Sequence, residues 1–168
     1  WNRGLAPDGA RIRLSCNTTR LAIRAQVARP GGKRCFFDAF VNGEYAGSVP
    51  AAGTNKVDLV FFEKKDRAWK DITIYLPHRN DVRVFAVGLD ADAEFKTPPP
   101  FALKRPMVCY GSSVLQGTGA AHPSRTYPAA VARRLNLDFV NLGFGGAGKA
   151  EVEVVEIPEL RFDDPPDA

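Results

Sequence analysis

Residues 141–150 read NLGFGGAGKA, and the fold turns on what this glycine loop serves. Gly143, Gly145 and Gly148 fit the dinucleotide fingerprint G-x-G-x-x-G, while Gly143, Gly148 and Lys149 fit the phosphate loop G-x-x-x-x-G-K. A third reading is a glycine turn that offers a backbone N–H to an oxyanion. Ten residues do not choose among these, so the flanking sequence must.

Around the loop the apolar pattern alternates between two element types. PMVCY (106–110) is a short apolar strand, YPAAVARRL (127–135) has the helical spacing of Ala130, Val131 and Leu135, DFVNL (138–142) is a second strand, and GKAEVEVVE (148–156) reads as helix. Strand, helix, strand, helix begins a parallel sheet. A right-handed crossover then leaves both strands parallel, with their carboxyl ends on one edge. The loops that follow the strands, GSSVLQGTG (111–119) and the glycine loop, become neighbours.

That placement weighs on the three readings. A dinucleotide fold carries its glycines after the first strand and an acidic residue at the next strand end. Here the loop follows the second strand, and Asp163, Asp164 and Asp167 sit in RFDDPPDA, a proline-broken turn. The phosphate loop has Ala150 where a Ser or Thr hydroxyl should ligate magnesium. An acyl-transfer site uses both loops: Ser113, after a strand and before a helix, presents a hydroxyl, and a glycine amide meets the charge that develops on the ester oxygen.

From Arg11 to Phe95 the period is two. In LAIRAQV, Leu21, Ile23, Ala25 and Val27 share one face. KVDLVFF, DITIYL and DVRVFAVGL repeat the pattern, and the Asn-Gly of VNGE (41–44) closes a hairpin. Together these predict an antiparallel β-sandwich. KTPPPFALKRP (96–106) carries four prolines and marks a stiff boundary. The expected division is a sandwich over 1–97, a linker over 98–106 and an α/β unit over 107–168.

The net charge of +4 is uneven: residues 1–100 hold 16 Lys and Arg against 11 Asp and Glu, an excess of five. Those charges are scattered along strands and turns, which fits a solvated face and no nucleic-acid track. No run reaches the roughly 18 apolar residues of a membrane helix. Cys16, Cys35 and Cys109 lack metal-ligand spacing and suggest reduced thiols in a cytoplasmic setting. Neither metal nor cofactor is implied, and nothing bears on oligomeric state.

VCYGSSVLQG resembles the first block of the SGNH, or GDSL, hydrolases, in the form with a small residue between the glycine and the serine, and VNLGFGGAG resembles their second block. The resemblance covers about residues 106–156. It implies a flavodoxin-like α/β hydrolase domain, Ser113 rather than Ser112 as nucleophile, and the N–H groups of Gly146 and Ser113 as oxyanion donors. Some members carry a jelly-roll domain first, so the sandwich is expected to be of that kind. The implied activity is hydrolysis of small carboxylic esters, foremost O-acetyl groups on carbohydrate, through an acyl-enzyme.

The sequence departs from the family in one respect. The Asn of the third block and the Asp-x-x-His of the fifth are missing, so the chain reads as the front part of a longer protein. The two histidines are His78 and His122. His78, in YLPHRND, is expected in an exposed turn. His122 and Arg125, in the loop after the nucleophile, are candidates for substrate contact. The competing reading is a carbohydrate-binding sandwich with a non-catalytic hydrolase remnant, its stacking surfaces drawn from Trp1, Tyr45, Trp69 and Tyr75.

Overall fold

The computed structural model describes residues 8–27, 35–51, 56–149 and 151–155. Trp1, the acidic turn at 161–168 and the outer end of the last expected helix lie outside the described residues.

Eight strands fall between Arg11 and Lys96. They are β1 (Arg11–Cys16), β2 (Leu21–Val27), β3 (Phe36–Val41), β4 (Glu44–Pro50), β5 (Val57–Phe62), β6 (Lys70–Tyr75), β7 (Val82–Gly88) and β8 (Phe95–Lys96). They form two antiparallel sheets, ordered β4-β3-β6-β1-β8 and β5-β2-β7, and the chain passes repeatedly from one sheet to the other. Period two does the sorting: Leu21, Ile23, Ala25 and Val27 are buried while Arg24 between them is exposed. They meet Phe37, Ala39, Ile72 and Ile74 of the larger sheet in one apolar core.

Two local features keep this alternation in phase. Asn42 and Gly43 both adopt positive φ in the tight turn between β3 and β4, as a two-residue hairpin of Asn-Gly requires. In β7, Phe85 is the extra residue of a bulge, since Arg24 pairs with Ala86 and Ala25 with Val84. The bulge resets the period, so that Val84 and Val87 both pack on the core while Phe85 turns outward.

Beyond the prolines, β9 (Met107–Gly111) and β10 (Phe139–Gly143) pair in parallel from Phe139↔Met107 to Gly143↔Gly111. Between them lie α1 (Ser113–Gln116), a 3-10 turn at Pro123–Arg125, and α2 (Tyr127–Leu135), which ends on Asn136 at φ 52. A short α3 (Val152–Val155) follows. The bounds of α2 match the sequence pattern, but its buried face does not: Val131 and Leu135 are 43% and 56% exposed, and Pro128, Ala129 and Ala132 face inward. The reason is the partner surface. Phe40, Tyr75 and Phe139 fill the seam with aromatic rings, and only small residues let the helix approach them.

One buried carboxylate ties the larger sheet to this α/β part. Asp38, in the middle of β3, is 0% exposed; it accepts hydrogen bonds from the Ser48 hydroxyl and the Ser124 N–H (3.0 Å) and lies 3.0 Å from His122 Nδ1. The His122 ring stacks on Phe36. Nearby, Arg11 pairs with Asp138 and lies over the Phe139 ring at 4.0 Å. Replacing Asp38 by Ala strands several buried donors at once. Asp38→Ala should therefore lower unfolding free energy by about 3 kcal/mol, read from urea titration, with Asp58→Ala on the exposed Arg24 pair leaving the urea midpoint nearly unchanged.

Candidate active site

The two strand ends meet backbone to backbone. Phe144 N–H donates to Gly111 O at 2.9 Å. A Cβ on Gly143 would overlap the Gln116 amide, and one on Gly148, whose φ is +80°, would overlap the Gly111 carbonyl. Neither position admits a side chain, which is why the loop after β10 is rich in glycine.

Ser113 opens α1, half-buried, with no hydrogen bond to its hydroxyl or its N–H among the described residues. Its Cβ lies 3.8 Å from where a Gly145 Cβ would stand. The Ser113 loop and the glycine loop are thus neighbours, as the crossover requires.

Nearly every amide of the glycine loop has an acceptor. Gly143 N–H donates to Asn141 Oδ1 at 2.9 Å and Ala147 N–H to Phe144 O at 2.9 Å. Gly145 N–H donates to Gln116 Oε1 at 3.0 Å. Gly148 and Lys149 N–H donate to the Glu151 carboxylate, which also accepts from the Tyr110 hydroxyl. Among residues 143–149, Gly146 alone keeps an N–H without an acceptor among the described residues, and it is exposed with φ +77°.

Gln116 is the residue that sequence reading passed over. Buried three positions after Ser113, it accepts from Gly145 N–H and donates through Nε2 to Asp8 Oδ2 at 2.9 Å. Asp8 also accepts from Arg79 N–H at 2.7 Å, and burial pushes its carboxyl above the usual range despite these bonds. A polar side chain wedged between Leu115 and Gly117 was the available signal. The lone Asp38 within FFDAFV was another.

The histidines divide. His78 is not in an exposed turn: it is 3% exposed, wedged against Gly117, and its Nδ1 has no hydrogen-bond partner among the described residues. The chain needs a flat ring there because Gly117, at φ +108°, closes α1 directly over it. Burial holds the His78 imidazole below its ordinary pKa. His122 Nδ1 is shared between Asp38 and the Ser48 hydroxyl, 3.1 Å away. Arg125 is exposed, and its side chain has no partner among the described residues. Of the aromatic surfaces, Tyr75 is buried in the seam, Trp69 lies under Lys96 Nζ at 4.6 Å, and Tyr45 is exposed with its hydroxyl 2.6 Å from Ser48.

Residues 104–159, which hold this strand, serine, helix and glycine loop, match the GDSL-like lipase/acylhydrolase family. Over 92% of its length the chain is similar to a GDSL-like lipase from Bacteroides ovatus ATCC 8483, at 27% identity and a TM-score of 0.77. Over 88% it is similar to the salicylyl-acyltransferase SsfX3 of a tetracycline biosynthetic pathway, at 29% identity and a TM-score of 0.76. An acetyl xylan esterase of the rumen bacterium Butyrivibrio proteoclasticus shares the fold over 83% of the chain, at 17% identity and a TM-score of 0.63. The chain spans 48%, 43% and 41% of those proteins, less than half of each. No curated protein matches it in sequence.

Gln116→Ala removes the acceptor of Gly145 and the donor to Asp8, and should lower stability by about 1–3 kcal/mol in urea titration. His78 gives a pH signature. Its folded pKa lies below that of the unfolded chain, so the unfolded state takes up the proton first as pH falls. The stability His78 contributes is complete above about pH 6.5 and declines below it. Urea midpoints measured from pH 8 to pH 5 should therefore fall more steeply in the parent chain than in His78→Gln.

Proposed function

We propose that this chain carries the nucleophile side of a serine esterase. Ser113 Oγ attacks an ester carbonyl carbon, its proton passes to a base, and the alcohol leaves with a proton, so that an acyl group remains on Ser113. Water then attacks the acyl-enzyme, and the acid departs. The N–H groups of Gly146 and Ser113 receive the negative charge of the tetrahedral intermediate, an effect of several kcal/mol where donors are preorganised. The observation that carries this reading is the amide at Gly146, without an acceptor among the described residues in a loop whose other N–H groups are bonded, beside a strand end whose Ser113 hydroxyl likewise has no partner among them.

The substrate class we infer is a small carboxylic ester, with O-acetyl groups on carbohydrate foremost. The acetyl xylan esterase and a family two carbohydrate esterase from Clostridium thermocellum share the fold. His122 and Arg125, on the loop that follows the nucleophile, are the proposed substrate contacts. The salicylyl-acyltransferase at 29% identity favours a second reading, in which the same acyl-enzyme hands its acyl group to an acceptor other than water. In either case the sandwich over 1–97 is a jelly-roll accessory domain, joined through 98–106 to an α/β unit over 107–168. The passage of successive strands from sheet to sheet supports that assignment.

Neither histidine makes a hydrogen bond to Ser113, and no Asp-x-x-His occurs in the sequence. Hydrolysis of p-nitrophenyl acetate by these 168 residues should thus stay near background in inert buffer, since an unassisted serine is almost wholly un-ionised. Added imidazole should raise the rate of the parent chain above that of Ser113→Ala at equal imidazole. Identical rates for the two proteins across the imidazole series would refute Ser113 as nucleophile.

A further inference from the structure

A second cleft lies at the seam between the larger sheet and α2. Its floor follows from strand register: β1 pairs with β6 as Arg11↔Tyr75, Arg13↔Thr73 and Ser15↔Asp71, so these alternate residues share the face turned away from the sandwich core. The opposite wall is α2 with Arg133, and the proline-rich segment closes one side with Phe101. The cleft measures about 350 Å³, within the range of small-molecule sites. Phe139, at the amino end of β10, lines it, whereas Gly143 at the carboxyl end belongs to the Ser113 edge. Four strand steps of about 3.3 Å separate the two by roughly 13 Å.

The polar groups of this cleft are underused. Arg13 donates once, to Pro99 O at 2.7 Å, and its guanidinium lies over the Phe101 ring at 3.9 Å. Arg133 donates once, to Ser124 O at 2.9 Å, and lies over Phe40 at 4.5 Å. Each guanidinium has five N–H donors, and neither meets a carboxylate at ion-pair distance among the described residues. Arg11 differs, being neutralised by Asp138. Tyr75 and the half-buried Thr73 line the cleft, and their hydroxyls have no hydrogen-bond partner among the described residues. Two half-buried cations on facing walls, beside hydroxyls that no protein group among the described residues engages, form a site suited to an anion.

We propose that this cleft binds a small carboxylate borne on a hydroxylated ring, of the hexuronate class. The carboxylate is held by Arg13 and Arg133, the ring packs on the aromatic walls, and the sugar hydroxyls bond Tyr75, Thr73 and Asp71. Asp71 sets the choice of anion: its carboxylate, unpaired among the described residues, accepts hydroxyls but repels the greater charge of a phosphate. The site is independent of the esterase reading.

The test is isothermal titration calorimetry of this chain at low salt with D-glucuronate, D-glucose and inorganic phosphate. Arg13→Gln and Arg133→Gln are the cleft variants, and Arg24→Gln, on the exposed Asp58 pair of the other sheet, is the control. Glucuronate should bind saturably and at least about tenfold more tightly than glucose, each cleft variant should weaken it by about tenfold or more, and Arg24→Gln should leave it unchanged. Absence of saturable glucuronate binding, equal binding of glucose, tighter binding of phosphate, or an affinity that survives both cleft variants would each overturn the proposal. Circular dichroism checks folding. Should Arg133→Gln unfold, Arg13→Gln decides alone, because the contacts of its guanidinium are with the proline-rich segment, at Pro99 O and the Phe101 ring.

Discussion

Two strand ends touching through bare backbone is the constraint on which the rest of the site depends. Gly111 and Gly143 finish β9 and β10 side by side, and Gly148 returns the chain onto the Gly111 carbonyl, where any side chain would collide. That contact leaves the loop little freedom. Its amides are then claimed in turn by Asn141, Gly111, Gln116, Phe144 and Glu151, and the exposed amide at Gly146 is left without an acceptor among the described residues. Rigidity here is a by-product of packing, and under the proposed function it would spare the Gly146 donor any reordering as charge develops.

The sandwich does more than accompany this unit. Asp38 reaches out from the middle of β3 to fix the turn at Ser124 and the His122 ring, and Asp8 reaches Gln116 at the end of the Ser113 helix. Both carboxylates lie in low-dielectric surroundings, where an acceptor is worth holding only if several donors converge on it. Asp38 has three such partners and Asp8 two, which is how each is tolerated away from water.

Much of this was legible in the residues. Alternation in LAIRAQV named the buried face of β2, Asn-Gly named a hairpin, and YPAAVARRL gave the limits of α2, because each is a local property of the chain. The neighbouring loops followed from chirality alone. The errors share one origin. Which face of α2 is buried, that His78 is covered, and that Gln116 and Asp38 are structural depend on the partner surface, and a single sequence does not display partners. Val131 and Leu135 are more apolar than Ala129 and Ala132, yet the aromatic seam selects by size and takes the alanines. The resemblance to SGNH hydrolases reached further than periodicity could, since it rests on two short blocks at a set spacing.

The aspartates that cross from the β layers bear on how such proteins diversify. Were the front hundred residues an interchangeable cassette, a chimaera with a foreign sandwich would keep an intact serine turn. With Asp8 bonded to Gln116 and Asp38 to Ser124, that exchange takes away one anchor of the Ser113 helix and one of the loop that follows it. Lineages that recombine at the prolines must therefore bring matching acidic residues along, or inherit a loosened serine.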